Sequence, residues 1–365
     1  MVGCSVMYQE PQLIHEVPEA EVASFMAPLP HREPICVVVP AYNEEQVIDP
    51  ALRALVRVID PAHVYVVSDG STDKTAELAL KHTKNVLDLP QNVGKARALK
   101  SLINEYQLTL NYEYVLFSDA DSQLSFNFIT EIKKFMAAQP ACIVGTVTSD
   151  RHGLISAYRT YEYGLTHRVF KQAQSRMGTI TVAPGCASLY RSDVLGLLDF
   201  TKHTLTEDFD LTLQIHEKKL GDIVYAPHAR VLTQDPPTLH DYWKQITRWY
   251  TGFWQNIFLH KAYIPNKKVN MEIMLIVGDG LSWIAAISFA IINPLAFLSL
   301  VLMSAIITFI LTIGILCLER QFWAMKYMLL FPLFQFINVT SYGYSFFRAL
   351  GTQTKRLAWN KVLRY

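Results

Sequence analysis

The amino-acid sequence predicts an α/β protein in which a doubly wound, mostly parallel sheet is followed by a C-terminal α-helical membrane region. Between residues 35 and 118, short β-branched runs alternate with helix-forming segments across short connections, which is the pattern of a parallel sheet. From about residue 271 onward, long apolar stretches dominate, although apolar residues make up 51% of the whole chain. The first two thirds of the chain therefore predict a folded α/β domain, and the last third predicts a membrane segment.

The first four strands and three helices can be predicted in order along the chain. Ile35–Val39 shows no alternation of polar and apolar residues, which indicates a strand buried on both faces. Asp49 and Pro50 predict the start of the first helix, because Asp is a good N-cap and Pro suits the first helical position. The predicted strands are 35–39, 64–68, 85–89 and 114–118, and the predicted helices are 49–59, 72–81 and 95–107.

The following part of the chain, up to the first apolar stretch, is less regular. We predict strands at 143–148 and 179–183, and a short helix at 193–198. A further strand is predicted at 223–226, ending at Pro227, because proline cannot donate to a strand ladder.

Composition and cysteine usage exclude several classes of protein. The formal net charge is +1 and charged residues are 18% of the chain, so no nucleic-acid partner is expected, since such binding usually needs a clustered basic surface. The five cysteines are scattered without zinc-binding spacing, which indicates a reducing compartment for the folded domain. Residues 1–34 lack a continuous apolar run and are predicted to be a cytosolic lead-in rather than a signal peptide.

Polar residues follow each of the first four predicted strands. In open α/β sheets, ligands bind outside the carboxyl ends of the strands, so these residues are expected to share one binding edge. They are Asn43 and Glu44 after the first strand, Asp69 and Asp73 after the second, Lys95 after the third, and Asp119 and Asp121 after the fourth.

Asp119 and Asp121 form the first candidate site. Two carboxylates two residues apart at a strand end can hold a divalent cation between the protein and a diphosphate. Such an ion would neutralise the charge that grows on a leaving nucleoside diphosphate. The alternative interpretation is a solvated loop, because this tripeptide is common.

Thr206-Glu207-Asp208 forms the second candidate site. Thr206 can cap the helix that follows, and acids in a first turn are favoured by the helix dipole, which is the structural interpretation. The functional interpretation is a general base that takes the proton from an acceptor hydroxyl.

Gln245, Arg248 and Trp249 form the third candidate site, in a segment rich in tryptophan and tyrosine. At helical spacing the three share one face, where Arg248 could bind a diphosphate and Trp249 could stack on a sugar ring. An aromatic helix before a membrane segment is also typical of an interfacial anchor, and the two interpretations are compatible.

The apolar part of the chain predicts a membrane hairpin with arms at 271–293 and 294–318. Each arm has the roughly 20 residues that a bilayer core requires. Asp279 is costly in lipid and is expected to face protein or water. Residues 324–350 are diluted by polar side chains, and basic clusters stand on both sides of them, so an interfacial or re-entrant segment is predicted.

Six ordered motifs resemble family 2 glycosyltransferases. Within that family the sequence resembles the processive membrane branch, which contains cellulose, chitin, hyaluronan and poly-N-acetylglucosamine synthases. The resemblance covers roughly residues 35–260. The motifs are Pro40-x-Tyr42-Asn43-Glu44, Asp69-Gly70-Ser71-Thr72-Asp73, Asn92-Val93-Gly94-Lys95, Asp119-x-Asp121, Thr206-Glu207-Asp208 and Gln245-x-x-Arg248-Trp249.

The resemblance implies a GT-A fold and an inverting, single-displacement transfer with Mg²⁺ or Mn²⁺ held by Asp119 and Asp121. It implies that Asp208 is the catalytic base, beside Glu207 and Thr206. The implied acceptor-binding residues are Gly185, Cys186, Gln245 and Trp249. The implied donor-binding residues are Pro40, Tyr42, Asn43, Glu44, Asp69, Gly94, Lys95, Asp119 and Arg248, with Asp69 at the nucleotide base.

The predicted organisation is a lead-in at 1–34, a catalytic domain at 35–235, interfacial helices at 236–268, a hairpin at 269–318 and a re-entrant segment with a gating-like tail at 319–365. We expect an integral protein of the plasma membrane, with its catalytic domain and C-terminus in the cytosol. The expected partners are a nucleotide-sugar donor, a polysaccharide or lipid-linked acceptor, the bilayer, and an export or accessory subunit.

Three functions remain open at this point. The first is addition of a sugar from a UDP-sugar, such as UDP-N-acetylglucosamine, to a growing polysaccharide. The second is transfer of a single sugar to a membrane lipid, because ceramide glucosyltransferases resemble the same motifs and only two spans are predicted here. The third is an inactive scaffold, against which the intact acids and the Gln245-x-x-Arg248-Trp249 motif argue.

Overall fold

The structure is a computed structural model that describes residues 32–149, 153–201, 204–260 and 266–351. The predicted lead-in at 1–34 falls almost wholly outside these ranges, and the gating-like tail at 352–364 falls wholly outside them.

A mixed sheet forms the centre of the α/β domain. Within the described residues it has eight strands in the order β3-β2-β1-β4-β7-β6-β8-β5. Strands β1 to β4 pair in parallel, whereas β7 runs antiparallel between β4 and β6, and β5 runs antiparallel to β8. The strands are β1 Glu33–Ala41, β2 Val64–Ser68, β3 Asn85–Asp88, β4 Tyr112–Phe117, β5 Gln123–Leu124, β6 Cys142–Ser149, β7 Ser188–Arg191 and β8 Ile223–Thr233.

Helices cover the sheet and continue into the C-terminal region. Those of the α/β domain are α1 Ile48–Leu55, α2 Thr75–Ala79, α3 Lys95–Glu105, α4 Leu108–Asn111, α5 Phe128–Lys133, α6 Leu154–Gly164, α7 Gln172–Met177, α8 Ser192–Gly196 and α9 Glu207–Glu217. A π-helical turn at Leu165–Lys171 joins α6 to α7. The C-terminal helices are α10 Leu239–Leu259, α11 Lys267–Phe289, α12 Pro294–Leu318 and α13 Phe331–Leu350, with a 3₁₀ segment at Phe322–Leu330 before α13.

Strand β1 is buried on both faces, as its sequence predicted. Cys36 and Val38 lie in one apolar cluster together with α3. Ile35, Val37 and Val39 lie in a second cluster on the opposite face, together with α1. Side chains alternate between the faces of a strand, so an unbroken apolar run supplies two cores at once. The predicted α/β class and the parallel order of the first four strands are confirmed.

Three local predictions were wrong. Asp49 lies in the first turn of α1 rather than at its N-cap, which is Val47, and its carboxylate binds Arg53 and His82. Strand β8 continues past Pro227 to Thr233, because the pairing with β6 shifts register beside this proline, where a missing N–H costs no ladder bond.

The third wrong prediction is the strand at 179–183, which has an irregular backbone instead. Its polar groups are bonded by side chains: Lys171 Nζ donates to the Val182 carbonyl at 2.6 Å, and the Ala183 N–H donates to Thr212 Oγ1 at 3.0 Å. These bonds replace the strand ladder and hold the segment on α9.

The C-terminal apolar region is helical, and the predicted break at Asn293-Pro294 is present. Asn293 Oδ1 accepts the Ala296 N–H at 3.0 Å, and Pro294 begins α12. By length and composition, two helical stretches in the described part of the chain could cross a membrane, Pro294–Leu318 and Phe322–Leu350. Helix α11, the predicted first arm of the hairpin, is not among them.

Polar residues of α13 face neighbouring helices. Asn338 Oδ1 accepts the Tyr242 hydroxyl of α10 at 2.7 Å, and Ser341 lies 2.9 Å from the Thr247 hydroxyl. Gln335 Nε2 donates to Thr308 of α12 at 2.6 Å. These polar side chains, on which the prediction of a non-spanning segment was based, therefore serve helix packing. The interfacial or re-entrant position of this segment stays a prediction.

The end of α12 is fixed to the α/β domain by a shared ion pair. Glu319 follows the helix directly and binds Arg168 Nε at 2.6 Å and Arg230 at 3.1 Å. Because this carboxylate is mostly covered, both pairs are less screened by water than surface pairs. The apolar region is thus held against the sheet beside α6 and β8.

Candidate active site

The loops after β1 and β2 are bonded to each other. The Asn43 N–H donates to Ser71 Oγ at 3.1 Å, and Asn43 Oδ1 accepts the Thr72 N–H at 2.8 Å. The Glu44 N–H donates to Thr75 Oγ1 at 2.7 Å. Asn43 has a φ of 53°, a left-handed conformation that Asn tolerates better than most residues. These contacts bring the first two predicted motifs together at the strand ends.

Asp69 organises the loop that carries Lys95. Its carboxylate accepts the backbone N–H groups of Val93 at 2.7 Å and Gly94 at 2.9 Å. The neighbouring Gly70 has a φ of 66°, and a Cβ there would lie 2.4 Å from the Asn92 nitrogen. Only glycine allows this approach. Asp69 therefore holds the start of α3, and its predicted contact with a nucleotide base stays a prediction.

Lys95 joins the two acidic motifs. Its ammonium lies 2.8 Å from Asp119 Oδ1 and 2.7 Å from Glu207 Oε1. Burial by itself would lower the pKa of Lys95, but the two carboxylates outweigh it and hold that pKa above its ordinary value. Asp119 and Glu207, which are 88 positions apart in the sequence, therefore bind the same ammonium group. The pattern of polar residues at the strand ends did not predict this position for Glu207.

Asp208 lies in the first turn of α9, beside this bridge. Its carboxylate accepts the Phe209 N–H at 2.9 Å and the Gly185 N–H at 3.3 Å. Burial, followed by the negative charge of Glu207, raises the pKa of Asp208 to about 6, while Lys95 opposes the shift. A carboxyl group with this pKa can accept a proton near neutral pH and hold it, which is what a general base requires.

Gly185 lies next to the charged side chains of Lys95, Glu207 and Asp208. A Cβ on Gly185 would lie 3.0 Å from the Lys95 ammonium and 3.5 Å from Glu207 Oε1. The next residue, Cys186, has a thiol whose pKa is raised by burial and then by the charges of Asp119 and Asp121. The predicted acceptor-side residues Gly185 and Cys186 therefore lie against both acidic motifs.

Asp119 and Asp121 lie on the loop after β4. Asp121 is buried, and its Oδ1 accepts a hydrogen bond from the Ser122 hydroxyl at 3.4 Å. Asp119 is partly exposed and binds Lys95. In the described ranges of the chain no three His, Cys, Asp or Glu side chains converge on one point. Two carboxylates on one loop after β4 have the ligand chemistry of a hard cation that takes its other ligands from phosphates and water.

Helix α10 is fixed to the Thr206 segment by Gly252 and Asn256, two residues that lie outside the six motifs and were not predicted to contribute. Asn256 Nδ2 donates to the Thr206 carbonyl and to Thr206 Oγ1, each at 3.1 Å. A Cβ on Gly252 would lie only 2.4 Å from Thr206 Oγ1. Thr206 is the N-cap residue of α9, as predicted, but its hydroxyl serves this contact instead of capping. In the sequence, Arg248, Gly252 and Asn256 are spaced four residues apart, which places them on one face of a helix. This spacing could have indicated that Gly252 and Asn256 lie on the same side as the motif arginine.

The three residues of the Gln245-x-x-Arg248-Trp249 motif lie on α10 in two environments. Gln245 Oε1 accepts a guanidinium N–H of Arg159, and the Trp249 ring lies 4.6 Å from the same guanidinium. Arg248 instead lines a cavity of about 100 Å³ between α10 and α13. The residues that line this α10–α13 cavity are Leu205, Trp243, Lys244, Thr247, Arg248, Tyr344 and Arg348.

The predicted donor-side residues are distributed along the same sheet edge. Pro40 and Tyr42 lie at the end of β1 and are half-buried, and Glu44 is buried. Gly94 precedes α3 with a φ of 92°, a conformation that favours glycine. The fold therefore brings the first five motifs to one side of the sheet, and α10 adds the sixth.

Comparison with known proteins agrees with this arrangement. A family model described as glycosyltransferase like family 2 matches residues 31–252. A poly-β-1,6-N-acetyl-D-glucosamine synthase of Staphylococcus epidermidis is 27% identical over 266 residues, covering 67% of this chain and 60% of that protein. The synthase of the same name from Staphylococcus aureus (strain COL) is 28% identical over 231 residues, covering 60% of this chain and 54% of that protein. This chain thus spans between half and two thirds of the length of these relatives.

A solved structure has the same fold. A mannosyltransferase from Pyrobaculum calidifontis, in complex with GDP-Man and Mn²⁺, superposes with a TM-score of 0.56 at 17% sequence identity. The match covers 88% of this chain and 93% of the mannosyltransferase. At this identity the likeness concerns the fold.

Proposed function

The chain belongs to glycosyltransferase family 2, and from that premise we propose that it moves a sugar from a UDP-sugar to a growing polysaccharide at the membrane. It is a glycosyltransferase with a GT-A fold. We propose UDP-N-acetylglucosamine as the donor, because the relatives at 27% and 28% identity are named as poly-N-acetylglucosamine synthases.

One observation supports this proposal above the others. The Lys95 ammonium joins Asp119, on the donor side, to Glu207, which stands next to Asp208. A donor held near Asp119 and an acceptor hydroxyl near Asp208 would therefore lie within one compact site. A transferase needs its leaving group and its base in such proximity.

The proposed reaction is a single displacement with inversion. An acceptor hydroxyl oxygen attacks C1 of the donor sugar as the bond between C1 and the diphosphate oxygen breaks. The hydroxyl proton passes to the Asp208 carboxylate, and the nucleoside diphosphate leaves with the bonding electron pair. The Gly185 N–H holds Asp208 Oδ2 in place, and Glu207 contributes to its raised pKa.

We propose that Asp119 and Asp121 hold Mg²⁺ or Mn²⁺ when the donor binds, as their carboxylate chemistry supports. The ion would supply positive charge to the diphosphate of the leaving group. Lys95 lies beside Asp119 and contributes a further positive charge there. Arg248 would contact the diphosphate from α10, and Pro40, Tyr42, Asn43, Glu44, Asp69 and Gly94 would surround the nucleoside.

The acceptor side is proposed to consist of Gly185, Cys186, Gln245 and Trp249. A second candidate acceptor, a membrane lipid, is favoured by one observation. The α10–α13 cavity is lined by Tyr344 and Arg348 of α13, a helix that also presents exposed apolar residues such as Phe347. A lipid-linked acceptor could approach the motif helix from this side.

We also propose an integral membrane location with the α/β domain and the C-terminus in the cytosol. The ion pairs of Glu319 with Arg168 and Arg230 support this orientation, because they hold the end of α12 at the α/β domain. An export or accessory subunit remains part of the proposal.

The substitution Asp208→Asn tests the function. Membranes containing the wild type are expected to convert labelled UDP-N-acetylglucosamine into product, and Asp208→Asn is expected to reduce turnover by at least about 100-fold, since general base catalysis contributes about 10²–10⁴. Asp222→Asn, at an exposed position away from the site, serves as the matched control. Unchanged turnover in Asp208→Asn would remove the base assignment. Separation of polymeric from lipid-soluble product decides between the two acceptors.

A further inference from the structure

Arg159 is a fully buried cation in the middle of α6. Its exposed fraction is 0%, and it is the largest fully buried side chain of the described core. One guanidinium nitrogen binds Glu162 on the same helix, and another donates to Gln245 Oε1 of α10. A buried charge is stable only when it is paired and hydrogen-bonded, so these partners determine where the guanidinium lies.

Three aromatic rings surround the same guanidinium. The Trp249 centroid lies 4.6 Å from it, the Tyr242 centroid 4.7 Å, and the Tyr163 centroid 5.8 Å. Attraction between a cation and an aromatic face is stronger where water is excluded. Arg159 therefore contacts both Gln245 and Trp249, which are the two motif residues that we place at the acceptor.

Arg159 determines the orientation of the Gln245 amide. A guanidinium only donates hydrogen bonds, so the amide must turn its oxygen towards Arg159. The amide nitrogen, with its two N–H groups, then lies on the side of the amide away from the guanidinium. The Gln245 side chain is buried, with 7% of the residue exposed. Sugar hydroxyl groups can accept hydrogen bonds from these N–H groups. Trp249 is half-buried, so part of its indole surface is still accessible while Arg159 lies against it.

The surroundings of Arg159 extend to the C-terminal helices. Tyr242, which lies against the guanidinium, donates its hydroxyl to Asn338 of α13 at 2.7 Å. Asn338 also donates to the Tyr158 hydroxyl at 3.1 Å. Arg159 thus lies where α6, α10 and α13 meet, and a change in its side chain would act first on α10.

We propose that Arg159 is a positioning residue for the acceptor: it directs the Gln245 N–H groups and one surface of Trp249 towards the acceptor sugar without touching that sugar. This inference rests on the proposed function for the identity of the acceptor. It assigns the motif two separate tasks, because Gln245 and Trp249 act with Arg159, whereas Arg248 lies at the α10–α13 cavity.

The kinetic test uses Arg159→Lys, which keeps the charge but loses the planar fork. The expected result is a rise in KM for an N-acetylglucosamine oligosaccharide acceptor, with kcat/KM on the order of 10- to 100-fold lower, as for loss of a charged hydrogen bond. The KM for UDP-N-acetylglucosamine should stay within about twofold. Arg168→Lys is the matched control, since Arg168 follows on the same helical run but binds Glu319. Equal increases in both KM values, or an unchanged acceptor KM, would overturn the proposal.

The variant Gln245→Glu separates positioning from packing. Glutamate can pair with Arg159 at least as strongly as glutamine, but its carboxylate has no N–H to offer an acceptor. If Gln245 serves only to pair Arg159, this variant keeps its acceptor KM. We expect instead a loss similar to that of Arg159→Lys, with the melting temperature unchanged or raised.

A binding measurement separates this inference from the proposed function. In protein labelled with 5-fluorotryptophan, the Trp249 signal is identified by its absence in Trp249→Phe. Addition of a soluble N-acetylglucosamine pentasaccharide should shift that signal in the wild type and not in Arg159→Lys. If no nucleotide sugar is turned over but this pattern appears, the positioning role stands and the proposed function falls. If the wild type is active and both proteins respond alike, the positioning role falls.

Discussion

The substitution Gly252→Ala tests the contact between α10 and the Thr206 segment. A Cβ at residue 252 would lie 2.4 Å from Thr206 Oγ1, 2.6 Å from Cγ2 and 2.9 Å from Cβ. These are side-chain atoms of Thr206, which immediately precedes Glu207 and Asp208. Asn256 Nδ2 holds both the Thr206 carbonyl and Oγ1, so we expect relief of the contact to shift the segment that carries the proposed base. Relief of the contact to an ordinary separation of about 3.5 Å requires a shift of about 1 Å.

The magnitude follows from two opposing effects. Alanine is a better helix residue than glycine by about 1 kcal/mol, which by itself would stabilise α10. Overpacking of a filled interior costs about 1–3 kcal/mol, so the net change is a loss of stability of up to about 2 kcal/mol. Displacement of a reacting group by 1 Å can cost about 10²-fold in rate. The effect on activity should therefore be much larger than the effect on stability.

The assay compares kcat/KM and melting temperature for Gly252→Ala and for Gly314→Ala. Gly314 also lies inside a helix, and a Cβ there would meet nothing within 4 Å, so its substitution isolates helix propensity. We expect an approximately 100-fold loss of kcat/KM in Gly252→Ala and none in Gly314→Ala. Adding Thr206→Ala to Gly252→Ala removes the two nearest clashing atoms and should recover part of the loss. A Gly252→Ala protein that is both more stable and fully active would refute the reasoning.

Two further predictions concern pH and metal. Because the pKa of Asp208 is raised to about 6, the base is protonated and inactive below that pH; kcat/KM, which reports the free enzyme, should fall on the acidic side with an apparent pKa near 6. In Glu207→Gln the loss of a neighbouring negative charge should lower the pKa of Asp208, so the acidic fall in kcat/KM should move to lower pH. An unchanged pH profile would show that this fall does not report the ionisation of Asp208. Chelation with EDTA should abolish transfer and Mg²⁺ or Mn²⁺ should restore it, whereas full activity in EDTA would remove the role proposed for Asp119 and Asp121.

The polar residues at the strand ends were predictable because the signal is local. Each of β1 to β4 is a short apolar run, and the residue after it is the point where a parallel strand reaches the edge of the sheet. Asn43, Asp69 and Asp119 could therefore be assigned to one edge without knowledge of the pairing. The contact of Glu207 with Lys95 could not be predicted in this way, because the two residues are 112 positions apart in the sequence and no local pattern indicates that they meet.

The irregular segment at 179–183 has a sequence that is typical of a buried strand. Its apolar residues Ile180 and Ala183 are fully buried, so it looks like a strand. Its backbone is satisfied by the side chains of Lys171 and Thr212 instead of a neighbouring strand. A run of apolar residues indicates that a segment is buried. It does not indicate which group bonds the segment's backbone, because that group can come from a residue distant in the sequence.

The sequence by itself determined the α/β class, the order of the first strands, the acids at their ends and the apolar character of the last third of the chain. These features follow from the periodicity of apolar residues and from the residues that begin or end helices and strands, and both patterns extend over only a few residues. Only the tertiary structure decided how the motifs meet: Lys95 between Asp119 and Glu207, Gly252 against Thr206, and Arg159 behind Gln245 and Trp249. The physical reason is that buried charges and close-packed atoms depend on partners from several elements at once, and those partners come together only when the chain has folded.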